Sequence, residues 1–219
     1  MNEYPLLCKP EVVRAILDGR QTQDRRPMKP QPIGVLHEDE GGHYEWKGLQ
    51  VDLANDLAPY SPFGKPGDVL WVREPFAIKS KSKPLALQRR PIECYMEYVH
   101  GADQLKEGYK LVYRADSNYL IKWRPSIHML REFCRLRLRV KRVWVERVQD
   151  ISEEDAIAEG IEVSTAHGEP AYYLYNDKLR YTPDPIESFQ TLWESLYPGS
   201  WDTNVWVWAC EFDTISADS

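Results

Sequence analysis

The stretch CRLRLRVK, residues 134–141, alternates apolar and basic side chains over its whole length. Successive side chains of a β-strand point to opposite faces, so this pattern predicts a strand with one apolar face and one basic face. After Lys141 the phase slips by one residue, and the apolar positions continue from Val143. A β-bulge near Lys141 and Arg142 would account for the slip and would put Trp144 on the charged face.

Turn and helix signals lie on both sides of this strand. The turn residues of Gly64–Asp68 lead into a strand predicted at Val69–Glu74. The apolar run Val205–Phe212 predicts a final, central strand. Residues 19–26 are polar and basic and are interpreted as a loop. Apolar residues at helical spacing, with suitable caps, predict three short helices, at 10–18, 153–159 and 185–196.

The number and length of these elements indicate a fold class. Several short strands with a few short helices favour an α+β fold, here a small mixed β-barrel with flanking short helices. The length of 219 residues fits one elaborated domain, residues 1–219. Segments of weak pattern are interpreted as loop insertions in that domain, at about 33–62, 79–110 and 162–184.

Charge is distributed unevenly along the chain. The net charge is −6, whereas a nucleic-acid-binding chain is normally basic. Between Lys122 and Arg147, however, there are nine basic residues and two acidic ones, Glu132 and Glu146. Because local charge decides where an anion docks, this segment is the candidate for a phosphate-bearing partner.

Several classes of protein do not fit the sequence. No apolar run approaches the roughly 20 residues of a membrane helix, and the N-terminus lacks the pattern of a signal peptide, so a cytoplasmic protein without membrane contact is expected. The histidines are scattered. The four cysteines are widely spaced and are expected to be reduced, and no metal site or cofactor is expected. The cysteines are Cys8, Cys94, Cys134 and Cys210.

The residues after the first helix resemble a known family signature. The ASCH domain family carries the pattern G-x-K-x-x-E-x-R at this point, and the corresponding stretch here is Gly19–Arg26. Further blocks in the same order resemble bacteriophage and prophage members of the family. The resemblance implies a PUA-like β-barrel that binds RNA or modified nucleosides, and some bacterial members are N4-acetylcytidine amidohydrolases. The further blocks are Gly67–Glu74, Trp123–Met129, Val148–Ala156 with Glu159-Gly160, and Trp193–Ser195 with Gly199–Asp202.

The chain departs from the amidohydrolase members at their catalytic positions. Those members use a lysine, a threonine three residues later and a glutamate after the long strand. The matching residues here are Gln21, Asp24 and Glu159. An amide has no titratable proton, so Gln21 cannot replace the lysine as a base or as the activator of a nucleophile. Asp24 and Glu159 are the catalytic candidates that remain.

Candidate binding residues follow from side-chain chemistry. Gln21 can pair with the edge of a base through its amide, and Arg26 can hold a phosphate or carboxylate. The alternative is a solvated loop in which Asp24 pairs with a neighbouring arginine. Arg73 and Glu74 end a strand, either as a pair in a cleft or as an ion pair that closes the barrel rim.

A second group of candidates lies in the basic segment. An aromatic residue beside arginines can stack a base, and His128 titrates near neutral pH, although such a histidine is also a common structural residue. Arg135 and Arg137 would form part of a stripe that follows phosphates, or merely a solvated strand face. The candidates before the strand are Trp123, Arg124, Ser126 and His128.

Three functions remain open at this point. The first is binding of RNA or a nucleoside, with DNA also possible as a partner. The second is hydrolysis, of N4-acetylcytidine or of RNA, with Asp24 or Glu159 as base and Arg26 as anion stabiliser. The third is a phage protein that contacts other proteins through its Tyr- and Trp-rich insertions. The missing lysine ranks binding above hydrolysis, and the sequence does not indicate an oligomeric state.

Overall fold

The structure, a computed structural model, describes residues 1–33, 43–46, 49–52, 60–80, 99–100, 104–105, 109–116, 122–164, 170–175 and 177–215. These residues form a sheet-rich α+β protein with a few short helices, which confirms the predicted class. Their strands do not form a closed barrel, so the PUA-like barrel remains a prediction.

The described helices are α1 (Pro10–Leu17), α2 (Glu153–Ala158) and α3 (Pro185–Leu196). The first strands are β1 (Glu3–Leu7), β2 (Gln23–Pro27), β3 (His43–Trp46), β4 (Leu49–Asp52), β5 (Val69–Arg73), β6 (Phe76–Ser80) and β7 (Val99–His100). The later strands are β8 (Gln104–Leu105), β9 (Tyr109–Tyr113), β10 (Arg137–Arg147), β11 (Val163–Ser164), β12 (Ala171–Leu174), β13 (Asp177–Thr182) and β14 (Trp206–Ile215). Five strands pair in the order β1-β5-β10-β14-β2, β11-β12-β13 form a second sheet, and β3-β4, β6-β9 and β7-β8 are pairs.

The three helices begin and end at the signals that predicted them. Gly19 follows α1 with a φ of 73°, a left-handed conformation that glycine adopts without strain. The hydroxyl of Ser152 caps α2 by accepting a hydrogen bond from the backbone N–H of Asp155 at 3.1 Å. Asp184 caps α3 in the same way, and Pro185 occupies its first turn.

Two segments that were interpreted as loops contain strands. Gln23–Pro27, within and just after the polar stretch 19–26, forms β2 and pairs with β14. The insertion at 162–184 contains the antiparallel sheet β11-β12-β13. The basic strand β10 begins at Arg137 instead of Cys134, because Arg131–Phe133 forms a 3-10 turn. Lys141 and Arg142 are both exposed, so the alternation is interrupted where the sequence pattern slips.

Backbone contacts divide the chain into two compact units that alternate along the sequence. We call Met1–Tyr4, Ala15–Val69 and Arg139–Thr214 the first unit. The second unit comprises Pro5–Arg14, Leu70–Leu138 and Ile215–Ser219. The prediction of a single domain stays a prediction.

Each unit has an apolar core of its own. In the first unit the core is aromatic, and Phe189 and Trp193 of α3 are each only 1% exposed. Burying side chains of this size stabilises a fold by about 1.5–3 kcal/mol each. The core of the second unit joins Phe76 of β6 to Met129 and Phe133. The remaining core residues of the first unit are Val148, Ile151, Ala156, Ile161, Tyr172, Trp201 and Val207.

Candidate functional site

Strand β2 carries a polar face into the interior of the first unit. It pairs antiparallel with β14, from Gln23 opposite Glu211 to Pro27 opposite Val207. Gln23 and Arg25 are buried, with 8% and 3% of their surface exposed. Asp24 and Arg26, which alternate with them along the strand, are half-buried. The alternation of a strand is therefore present here, but the buried side consists of polar side chains.

Arg25 is the centre of a buried polar cluster. Its Nε donates to Glu146 at 2.6 Å, its Nη2 to Asp155 at 2.9 Å and its Nη1 to Glu159 at 2.8 Å. Nη1 also donates to Oε1 of Gln23 at 2.7 Å. Four of the five N–H donors of this buried guanidinium are therefore occupied, three of them by carboxylates, so Arg25 cannot offer a bidentate contact to a phosphate in this geometry.

The Arg25 cluster, which we define as Gln21, Gln23, Arg25, Glu146, Asp155 and Glu159, holds more negative than positive charge. Burial acts to lower the pKa of Arg25, but attraction to Glu159 and Glu146 outweighs it and the pKa is raised. Burial raises the pKa of Glu159 to about 7; Arg25 opposes this shift, and the charge of Asp24 adds to it. Because burial penalises the charged form of a carboxyl group, Glu159 holds a proton more readily than a solvated glutamate.

Gln21 lies beside Glu159 at the end of α2. The two residues form an isolated antiparallel bridge, and Thr22 N donates to Ala158 O at 2.9 Å. Gly160 allows this approach: it has a φ of 83°, and a Cβ at this position would lie 2.8 Å from Cβ of Gln21. The structure thus brings together two of the three positions that match the amidohydrolase residues.

The side chain of Gln21 is buried, and its carbonyl oxygen has no hydrogen-bond donor among the described residues. Its Nε2 donates to Gln23 O at 2.9 Å, and the residue is 5% exposed. Within the described part of the chain, Oε1 of Gln21 accepts no hydrogen bond. A buried acceptor without a donor is costly, and it indicates a place where a ligand or a water molecule completes the bonding.

Asp24 and Arg26 form a separate pair next to the cluster. Arg26 Nε donates to Asp24 at 2.7 Å, and the guanidinium lies over the ring of Phe63 at 5.8 Å. Their side chains are 30% and 16% exposed, for Arg26 and Asp24 respectively. Asp24 opposes Cys210 across the β2–β14 ladder, where burial raises the pKa of the thiol.

Trp144 extends the cluster towards the surface. Its indole N–H donates to Oε2 of Glu146 at 2.7 Å, and Arg25 lies 5.5 Å from the ring centroid. The exposed Arg142 lies over the same ring at 4.0 Å. The sequence pattern assigns Trp144 to the charged face, and these contacts agree with that assignment.

The remaining predicted site residues belong to the second unit. Arg73 holds the turn Ser126–His128: its Nε donates to Ser126 O at 3.2 Å, and its Nη2 donates to Ile127 O. The guanidinium of Arg73 also lies over Trp71 at 5.1 Å. Arg73 thus positions backbone in this unit and is not paired with Glu74.

Glu74 pairs with Arg135. The carboxylate is 1% exposed and accepts from Nε and Nη2 of Arg135 at 2.7 and 3.1 Å. Arg135 also binds Asp116 through Nη1 at 2.6 Å, and it lies over the ring of Tyr113 at 4.0 Å. Burial raises the pKa of Glu74, and Arg135 partly offsets the effect. Arg135 is therefore occupied by two carboxylates and does not point a free charge at a phosphate.

The other candidates of this unit do not gather into one cluster among the described residues. Trp123 and Arg124 are half-buried, and Arg124 pairs through its backbone with Phe76 of β6. His128 is exposed at the end of the 3-10 turn. Arg137 is half-buried and forms no ion pair with a described residue.

Sequence reasoning missed Arg25, Gln23, Glu146 and Asp155. Gln21, Gln23 and Arg25 recur at every second position, which is a strand signal. That signal was hidden because all three residues are polar, and a period of two is normally sought in apolar residues. The acids came from β10 and α2, which only the fold brings to Arg25.

No group of three or more His, Cys, Asp or Glu side chains in the described residues is arranged to hold a metal ion. Cys94 lies outside those residues, and Cys8, Cys134 and Cys210 form no disulfide with one another. None of the described helices has the length and apolar character needed to cross a membrane.

Comparison of the chain with family models, curated proteins and solved structures gives no match, so the ASCH resemblance stays a prediction.

Proposed function

We propose that the chain is a cytoplasmic ASCH-type protein with a PUA-like barrel, of the bacteriophage or prophage kind. Its first unit binds a nucleobase, in RNA or as a nucleoside, at the Arg25 cluster. The ordered sequence blocks support the family, and the sheet-rich α+β fold is compatible with it. The juxtaposition of Gln21 and Glu159 supports the position of the site.

One observation carries the proposal. Gln21 presents a buried carbonyl oxygen that accepts no hydrogen bond from the described residues, and it lies beside a carboxyl group whose pKa burial raises to about 7. A protonated carboxyl donates a hydrogen bond while the amide oxygen accepts one. An acceptor and a donor side by side are complementary to the edge of a base.

The surplus of acceptors in the cluster favours a particular kind of base. Cytosine offers an amino group to an acceptor and a ring nitrogen to a donor, which matches Gln21 and protonated Glu159. Uracil offers the reverse pattern at these two positions. Since each mismatched hydrogen bond leaves a buried polar group unpaired, we expect cytidine to bind at least about 10-fold more tightly than uridine.

The negative charge of the Arg25 cluster also disfavours the binding of a phosphate there. The charge of Arg25 is already balanced by three carboxylates, so a phosphate at the cluster would meet mainly acidic groups. The base and not the phosphate therefore docks at the cluster.

Calorimetric titration of the purified protein with cytidine and uridine tests this function. Glu159→Ala and Gln21→Ala should each weaken cytidine binding by about 10-fold, because each removes one partner of the base. Glu153→Ala is the matched control, since Glu153 is an exposed acid on the same helix. Equal affinities for cytidine and uridine, or no effect of Glu159→Ala, would contradict the proposal.

Hydrolysis is the second candidate, and the raised pKa of Glu159 favours it. A carboxyl group with a pKa near neutrality suits general acid–base catalysis. The residue at the lysine position is Gln21, which cannot activate a nucleophile. We therefore expect no cytidine to be released from N4-acetylcytidine, and we expect activity to appear in Gln21→Lys if the rest of the site is intact. Efficient turnover by the unmodified protein would reverse the ranking.

A further inference from the structure

The ring of Trp144 is held in place from the interior of the first unit. Its N–H donates to one oxygen of Glu146 at 2.7 Å, and the other oxygen of Glu146 accepts from Arg25 at 2.6 Å. Arg25 is 3% exposed and is fixed in turn by Asp155 and Glu159. The half-buried indole is thus anchored through hydrogen bonds to buried groups, although it lies at the edge of the cluster.

Arg142 covers the indole without an acidic partner. Its guanidinium lies 4.0 Å from the ring centroid, and it forms no ion pair or hydrogen bond with the described residues. Two other cations of β10 have partners: Lys141 pairs with Glu211 at 2.6 Å, and Arg147 donates to a backbone carbonyl and covers Trp206. Arg142 is therefore an exposed cation that lies over an aromatic face and forms no ion pair with a described residue.

We propose that Trp144 and Arg142 form a stacking platform for a base of single-stranded RNA. An exposed guanidinium over a half-buried ring is held weakly, so a base can take its place on the indole or continue the stack on its outer face. In either position Arg142 lies near the sugar–phosphate backbone of the RNA, and its guanidinium can pair with a phosphate. Arg139, an exposed cation earlier on β10, adds to the local charge.

The platform rests on the proposed nucleobase site and extends it. Glu146 and Arg25 connect the indole to Glu159 through successive hydrogen bonds, so the two positions belong to one continuous cluster. A base at Gln21 and a neighbouring base on Trp144 would belong to the same strand. The preferred ligand is then an RNA segment of at least two nucleotides and not a free nucleoside.

The test measures the affinity of a fluorescently labelled 12-nucleotide single-stranded RNA by anisotropy at several salt concentrations. Trp144→Leu fills the volume without an aromatic face and should weaken binding about 10-fold, whereas Trp144→Phe should stay within about 3-fold of the unmodified protein. Arg142→Gln should weaken binding and reduce the magnitude of the salt slope by about 0.7, the loss of one phosphate contact. Arg180→Gln is the control, because Arg180 is an exposed arginine of the first unit on β13.

The same variants are titrated with cytidine, so that the platform and the nucleobase site are tested separately. Unchanged cytidine affinity in Trp144→Leu with weakened RNA binding supports the platform. If cytidine still binds but Trp144→Leu and Trp144→Phe have the same RNA affinity, the platform is overturned and the nucleobase site is not. Tighter binding of single-stranded DNA of the same sequence overturns the choice of RNA. If the unmodified protein binds neither RNA nor cytidine, the proposed function fails. If the Trp144 variants do not fold, Arg142→Gln decides, and an unchanged salt slope overturns the platform.

Discussion

Replacing Glu159 by glutamine should remove a pH dependence from the stability of the protein. Burial raises the pKa of Glu159 to about 7, from its ordinary value of 4.5 in an unfolded chain. Between these two pH values the folded state keeps a proton that the unfolded state has released. The free energy of unfolding therefore falls as the pH rises, and the stabilisation from this group is fully present below about pH 4 and lost once the pH passes 7.

The size of the effect follows from the width of that interval. Each pH unit in which the two states differ by one proton changes the free energy of unfolding by about 1.4 kcal/mol. Between pH 4.5 and about 7 the loss amounts to about 3 kcal/mol. Glutamine has nearly the same shape and retains an oxygen that can accept from Arg25, so the variant should keep the geometry of the cluster and lose the titration.

Urea unfolding between pH 4.5 and pH 8 measures this difference. Other titrating groups contribute equally to both proteins and cancel when the variant is subtracted from the unmodified protein. The subtracted free energy should fall by about 3 kcal/mol across the interval, whereas Glu153→Gln should give a flat difference. Parallel stability curves for Glu159→Gln and the unmodified protein would refute the assignment of the proton to Glu159.

Three further outcomes are expected, each measurable by urea unfolding with circular dichroism. Gly160→Ala should destabilise the protein by about 2 kcal/mol, because the residue has a positive φ and its new Cβ would collide with Gln21; a neutral effect would mean that the end of α2 relaxes freely. Arg135→Met should cost about 3–5 kcal/mol by leaving Glu74 buried without its partner, and adding Glu74→Gln should recover part of the loss; a double variant as unstable as the sum would argue against the pair. Ser152→Ala should cost about 1 kcal/mol through loss of the cap on α2, and no change would show that the cap contributes nothing.

Those elements whose stability is local were predictable from the sequence. α1, α2 and α3 follow from apolar spacing and from residues such as Pro10, Ser152 and Pro185 at their first turns. The strands β5, β10 and β14 follow from apolar residues that lie in a core, with errors of a few residues at their ends. In these elements the chemistry of the side chains and the geometry of the backbone give the same signal.

Strand β2 shows why the rest could not be predicted. Apart from Pro27, the residues of Gln23–Pro27 are all polar or charged, so the segment resembles a solvated loop. Arg25 is nevertheless buried, because Glu146, Asp155 and Glu159 arrive from distant positions to balance its charge. The pairing that compensates the desolvation of Arg25 exists only in the folded chain, and a sequence window around β2 does not contain it.

The candidate site was predicted in part for a similar reason. The family resemblance directed attention to Gln21 and Glu159, which the fold brings together. Charge and strand pattern directed attention to Arg73 and Arg135, which the structure uses to hold a turn and to neutralise Glu74. An arginine in a sequence carries the same charge whether it is free or paired, and only the fold decides between the two.

The position of the nucleobase is tested most directly by nuclear magnetic resonance of the glutamine side-chain amides. Cytidine is added to protein labelled with nitrogen-15, and the amide signals of Gln21 and Gln23 are followed, with Gln149 as a reference because it bonds to Trp201 outside the Arg25 cluster. We expect the Gln21 and Gln23 signals to shift with saturation, and the Gln149 signal to stay in place. In Glu159→Ala, which lacks the donor to the base, the Gln21 and Gln23 signals should remain unchanged at the same cytidine concentration. Saturating shifts confined to other residues, or cytidine binding that leaves the Gln21 amide unmoved, would contradict a nucleobase site at the Arg25 cluster.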